Sequence, residues 1–289
     1  MGSEMCIRDR AETVPSFESS STRVGWILIV GYFLSLTIAY CFPTGKEVVF
    51  YPIFLLFFLM AFPRTFHIAL RELDLIRLPK SLFKDLAFTC CILALNELIG
   101  TLFFLCIGNA GGYDASAEPP VTVGLILSGL VLAPIVEETI FRGLLWRTLS
   151  QDGQLFALLT TSILFVLMHG AGAPFIIVML GVSAGLVMSR TDNLIYPILM
   201  HMIHNSGLLL PTVAGGGKVE FLIPVIANLG LLLLSFCILK RNFTQEKLVK
   251  SLYDPSLSKK LSLFFKTSGV LLYMLIFGGQ LIMAIMSPQ

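Results

Sequence analysis

What most limits the fold is a succession of apolar runs near 24–42, 48–63, 86–107, 122–148, 154–170, 174–189, 194–213, 219–239 and 268–286. A helix needs about 20 predominantly apolar residues to cross the hydrocarbon core of a bilayer. Inside the bilayer only helices and closed barrels satisfy their own backbone groups. The runs at 48–63 and 174–189 are the shortest, and nothing left between them is large enough for a soluble domain. The expected fold class is therefore all-α, a polytopic transmembrane helical bundle of about 8–9 membrane spans. Composition agrees, with 56% hydrophobic and only 13% charged residues, against about 25% charged in a typical soluble domain.

The distribution of basic residues orients the bundle. With the N-terminus in the cytoplasm, Lys46 and Lys218 alone fall on the far side, and the other 18 of the 20 Lys and Arg face inward. Cytoplasmic loops carry such an excess. A net charge of +2 suggests no nucleic-acid partner. The six cysteines form no CxxC or Cys/His metal pattern, and a disulfide framework is not expected. The opening "MGSEMCIRDR" reads as an assembly scar, and no positively charged region adjoins the first apolar run as a cleaved signal peptide would require.

Four regions follow: a disordered N-terminal segment at 1–23 that includes the scar, N-terminal membrane helices at 24–107, a core at 120–213, and C-terminal membrane helices at 219–289. Residues 64–85 mix apolar and basic residues at helical spacing, which predicts an interfacial helix on the inner leaflet. Residues 251–266 predict the same less strongly. The Gly-rich pieces at 108–120 and 214–218 read as outer loops and lack the spacing of a phosphate-binding loop.

Three polar clusters interrupt the apolar runs: Glu137, Glu138 and Arg142; then His169; then His201, His204 and Asn205. Ionisable residues within a membrane are costly, so each cluster is a candidate functional site. Successive helix positions differ by about 100°, which predicts that Glu137 and Glu138 face different surroundings. Glu138 and Arg142 stand four apart with the acid first, the favourable order for an ion pair. Glu137 then remains for chemistry.

Counting from the turn at Asp152, Glu137 lies 15 residues before and His169 lies 17 after. At about 1.5 Å per residue the two differ in depth by only ~3 Å, so an antiparallel pair of helices sets them side by side. His201 and Asn205, four apart, share a face. A carboxylate bonded to a water is a good general base, and His201 and Asn205 are candidate donors to an oxyanion. Structural roles stand beside each reading: His169 bonding a carbonyl at a helix end, His201 and Asn205 joining helices, and His204 packing or supporting. Asn96 and Glu97 form a further polar pair, lining the cavity or joining helices.

"EETIFR" at 137–142 reads as EExxxR, "FVLMH" at 165–169 as FxxxH, and "HMIHN" at 201–205 as HxxxN. In this order and on successive membrane segments they resemble the CPBP family of intramembrane proteases, which includes CAAX prenyl endopeptidases and bacteriocin-processing and immunity proteins. The resemblance covers about 120–210. It implies a membrane-embedded catalytic cavity open to the cytoplasm, with Glu137 as base and His169 as its partner on the water. It also implies that His201 and Asn205 are oxyanion donors, and it makes Phe165 a motif residue. Glu138, Arg142, Phe165 and His204 are expected to support the site.

The expected function is hydrolysis of membrane-anchored or prenylated, CAAX-type peptides by glutamate-activated water, without a metal cofactor. Substrate and membrane lipid are the expected partners, and a bacterial plasma membrane is the expected location. Two alternatives remain. A zinc ion held by His169, His201 and Glu137 would make a zinc-dependent protease, although no HExxH occurs. A non-enzymatic immunity or transport protein would use the same polar cluster without cutting, although no internal repeat supports transport.

Overall fold

The computed structural model describes residues 16–42, 44–69, 71, 75–77, 79, 81–107, 122–170, 174–214, 218–240 and 253–286, and every element among them is helical. Helix α1 (Phe17–Ala39) begins where the Ser16 hydroxyl accepts from the Ser19 amide, with Glu18 in the first turn. A serine cap and an early acid both favour a helix start. The helix therefore begins before the apolar run, and the expected disordered segment gives up residues 17–23 to it. Helix α2 (Lys46–Phe66) stacks Phe54, Phe58, Phe62 and Phe66 along one buried face, and ends at His67 in a left-handed conformation (φ 56°).

Helix α3 (Leu82–Ile107) is followed by α4 (Val123–Asp152), which contains two π-helical turns, Ser128–Leu132 and Thr139–Leu145. Gly153, at φ 132°, reverses the chain into α5 (Gln154–Met168). Helices α6 (Pro174–Thr191) and α7 (Ile195–Ala214) complete the centre, and α8 (Lys218–Lys240) packs along α3. The short α9 (Leu257–Lys266) meets α10 (residues 268–286) at a 70° bend. The amphipathic segment expected over 251–266 is thus helical from Leu257.

Five helices are long and apolar enough to cross a membrane, or six if the bent α9 and α10 count as one span. The chain is an integral membrane protein, but the expected eight or nine spans are not confirmed. The runs near 154–170 and 174–189 explain part of the difference. The first becomes the 15-residue α5, which covers ~22 Å of a hydrocarbon core about 30 Å thick. Nine of its residues are buried. Hydropathy alone does not separate a helix buried among helices from one that spans.

The inner-leaflet helix expected over 64–85 does not form as one element, since α2 stops at Phe66 and α3 starts at Leu82. The connection instead docks on the α6–α7 corner. Leu75 O accepts from Leu194 N (3.0 Å), Asn193 Nδ2 donates to Arg77 O (2.5 Å), and Asp192 pairs with both Arg77 and Arg147. Backbone groups committed to these partners are lost to a continuing helix. The predicted scar and most residues of the two Gly-rich loops lie outside the described residues.

Helices α1 and α10 cross at two glycines. A Cβ on Gly25 would stand 2.0 Å from the Gly269 carbonyl carbon, and one on Gly269 would stand 2.0 Å from Thr22 O. Small residues permit such close approach between membrane helices.

Candidate active site

The site is built on α4, and its local shape follows from Pro134. In the first π turn each amide bonds the carbonyl five residues back, as Ala133 N does to Ser128 O. Pro134 has no N–H, so in that register the Gly129 carbonyl loses its donor. Asn205 of α7 supplies one, its Nδ2 donating to Gly129 O at 2.8 Å. The widened turn and the asparagine thus fix α7 against α4 immediately before the two glutamates.

Glu138 and Arg142 are both fully buried. Arg142 Nε stands 3.4 Å from Glu138 Oε2 and Nη1 stands 3.5 Å from Oε1. Its Nη2 donates to Gly181 O on α6 at 2.8 Å, and the guanidinium lies 4.5 Å from the centroid of the Phe165 ring. Phe165 in turn meets Phe141 edge-on and the rings of His169 and His201. The expected ion pair is present, and Phe165 forms the cation–π wall behind it.

Glu138 has a second task. Its Oε1 accepts from His201 Nδ1 at 2.8 Å, which fixes the proton on that nitrogen and turns Nε2 the other way. There Nε2 stands 4.0 Å from Glu137 Oε2. The prediction that Glu137 and Glu138 face separate surroundings is corrected on this point. One imidazole presents opposite edges to both carboxylates, so a 100° step along α4 does not part them.

His169 closes the other side. It caps α5, whose last carbonyls have no intrahelical donor, and its Nδ1 bonds Phe165 O at 2.8 Å. A carbonyl only accepts, so Nδ1 carries the proton and Nε2 points to Glu137 Oε2, 3.5 Å away. Gly170 (φ 63°) then ends the helix in the left-handed conformation common at helix C-termini. The depth match between Glu137 and His169 across the Gly153 turn is realised. Glu137 itself is 4% exposed, and its Oε2 has no hydrogen-bond partner among the described residues. The Tyr51 hydroxyl of α2 interacts with the same carboxylate.

Glu137, His169 and His201 therefore converge on one carboxylate oxygen, with Glu138, Arg142 and Phe165 behind them. Asn205 lies one turn beyond His201 and is bonded to backbone. His204 faces away from the convergence, toward Glu97 (2.5 Å) and Asn96 (3.4 Å) on α3. Tyr51 was not legible in sequence, because one tyrosine in the aromatic run of α2 carries no distinguishing mark. Among the described residues no group of three or more His, Cys, Asp or Glu is spaced to hold a metal ion.

Residues 119–207 match the model of the family described as Type II CAAX prenyl endopeptidase Rce1-like. No curated protein and no solved structure matches the chain. The matched segment begins just before α4 and takes in Glu137, His169, His201 and Asn205, but Tyr51, Asn96 and Glu97 lie before it. Over residues 119–207 the chain is thus similar to the Rce1-like type II CAAX prenyl endopeptidases, consistent with a CPBP family protease.

Proposed function

We propose that the chain is an intramembrane endopeptidase that cleaves membrane-anchored or lipidated, CAAX-type peptides with a water activated by Glu137. The observation that carries the reading is the pair of Nε2 atoms, on His169 and His201, turned toward the buried Glu137 Oε2. With Nδ1 of His169 committed to Phe165 O, a neutral His169 has only a lone pair at Nε2. A carboxylate oxygen and such a nitrogen do not bond each other directly. A water between them gives one hydrogen to each and keeps a lone pair for attack.

Attack on the scissile carbonyl moves a water proton to Glu137 and places negative charge on the carbonyl oxygen. His201 in its imidazolium form donates Nε2–H to that oxygen, and the second Asn205 N–H is the further donor. Two carboxylates, one guanidinium and one imidazolium sum to zero, which suits a site with little water. Glu137 then returns its proton to the leaving amine as the C–N bond breaks. This reading uses no metal; the activated water is held by Glu137 and His169 alone. Basic-residue asymmetry supports an N-terminus in the cytoplasm and a cut near that face.

The test is cleavage of a farnesylated CAAX reporter by the reconstituted protein beside Glu137→Gln. Loss of a general base removes on the order of 10²–10⁴ in rate, and that loss is expected. Equal cleavage by parent and variant overturns the mechanism. Loss of activity in a chelator with rescue by zinc would replace it with the metal reading through Glu137, His169 and His201. Solute uptake coupled to a proton gradient, without cleavage, would replace it with transport.

A further inference from the structure

A second buried polar chain lies outside the proposed chemistry. His204 Nδ1 donates to Glu97 Oε1 (2.5 Å), and Asn96 Nδ2 reaches the same oxygen at 3.3 Å. Asn96 Oδ1 accepts from the Ser183 hydroxyl of α6, also at 3.3 Å. Asn96, Ser183 and His204 are each 5% exposed or less. Each of these four side chains has a hydrogen-bond partner within the chain, which a cluster retained by accident among apolar helices would not require.

Its two ends matter most. His201 and His204 stand on α7 three residues apart. From His201 the contacts run through Glu138 and Arg142 to Gly181 O; from His204 they run through Glu97 and Asn96 to Ser183. Gly181 and Ser183 stand on the same helix, α6. The two chains therefore form a belt that leaves α7 in two directions, crosses α4 on one side and α3 on the other, and closes on α6.

We infer that His204 and Glu97 are positioning residues that set the rotation of α7 and so the aim of His201. Side chains reach ~6 Å from a helix axis, so a rotation of about 10° moves the His201 ring by ~1 Å. Misplacement of that size costs on the order of 10²-fold in rate. The Glu138 and Asn205 contacts both tie α7 to α4 and leave it free to tilt and turn about that one side. A second tether to a different helix, α3, offset by about 60° around α7, removes that freedom. Glu97 and Asn96 precede the matched segment, so this constraint comes from outside the endopeptidase domain.

The catalytic consequence rests on the proposed protease, and the positional one does not, so the test reads both. Reaction with diethyl pyrocarbonate, followed by peptide mass spectrometry, measures access to His201, with exposed His67 as reference. His204→Leu is expected to raise His201 labelling by about tenfold and to lower kcat by about 10- to 100-fold. KM and the thermal unfolding midpoint should change little. In His204→Asn the amide stands where Nδ1 stood and donates to Glu97, so both readouts are expected to return toward the parent. Ser183→Ala cuts the belt without removing packing volume and should move labelling in the same direction, which decides the matter if His204→Leu fails to fold. Parent-like labelling in the folded variants, or no rescue by asparagine, refutes the belt. Increased labelling with rescue, in a protein whose parent and Glu137→Gln cleave equally, supports the belt and refutes the proposed chemistry alone.

Discussion

Arg142 is the largest fully buried side chain among the described residues, and its removal separates stability from catalysis. In Arg142→Met the Glu138 carboxylate keeps His201 but loses its guanidinium, and Gly181 O loses its donor. Breaking one side of a buried ion pair costs about 3–5 kcal/mol, a factor of roughly 10²–10⁴ in the folded ratio. Adding Glu138→Gln removes the stranded charge. The double variant should then regain stability, with a coupling of about 2 kcal/mol between the sites. Cleavage should not return, because a neutral amide no longer holds His201 as the carboxylate does, and a loss of on the order of 10²–10⁴ is expected to persist. Reversible unfolding in mixed micelles, followed by tryptophan fluorescence, measures the first effect; Trp146 is buried and Trp26 is half-exposed. Reporter cleavage measures the second. An Arg142→Met protein as stable as the parent, or a double variant that cleaves normally, would refute the assignment of Glu138 to both partners.

The link between Pro134 and Asn205 predicts a non-additive cycle. Asn205→Ala strands the Gly129 carbonyl and should cost about 1–2 kcal/mol, but with Pro134→Ala the new amide can take that carbonyl, and the cost should shrink by about 1 kcal/mol. Additive unfolding energies would show that the proline is not the cause. At the α1–α10 crossing, Gly25→Ala and Gly269→Ala should each lower the thermal midpoint by many degrees, because a methyl must displace backbone. Gly100→Ala, with nothing within 4 Å of its Cβ, should be neutral or stabilise by about 0.5–1 kcal/mol. An equal response at all three glycines would refute the close approach.

Much of the site was legible because its logic is local. The spacing of Glu138 and Arg142, and the equal distances of Glu137 and His169 from the Gly153 turn, follow from helix geometry alone. What joins separate helices was not. Nothing in the order of residues says that His201 bridges both glutamates, because that depends on how α7 is turned. The sharing of Asn205 with Gly129 depends on a π turn, whose widened register a 3.6-residue period does not contain. The segment at 64–85 had helical periodicity, yet its carbonyls are taken by Asn193 and Leu194 from a distant corner. Hydropathy found the apolar runs without telling which of them cross the membrane, since burial within protein and burial in lipid select the same side chains.

The crossing of Gly25 with Gly269 has a consequence in time. Helix α10 also sends the Tyr273 hydroxyl to Leu164 O, on the turn of α5 just before Phe165 and His169. A chain made from its N-terminus inserts α1 long before α10 and waits for α10 to fill the opposite side of that contact. Every helix bearing Glu137, His169 and His201 is already in the membrane by then. The carbonyl beside the His169 turn acquires its tyrosine only when α10 arrives, so the site is steadied after the helices that carry its polar residues are in place. A ribosome stalled before α10 would hold all the chemistry and lack the strut that steadies it.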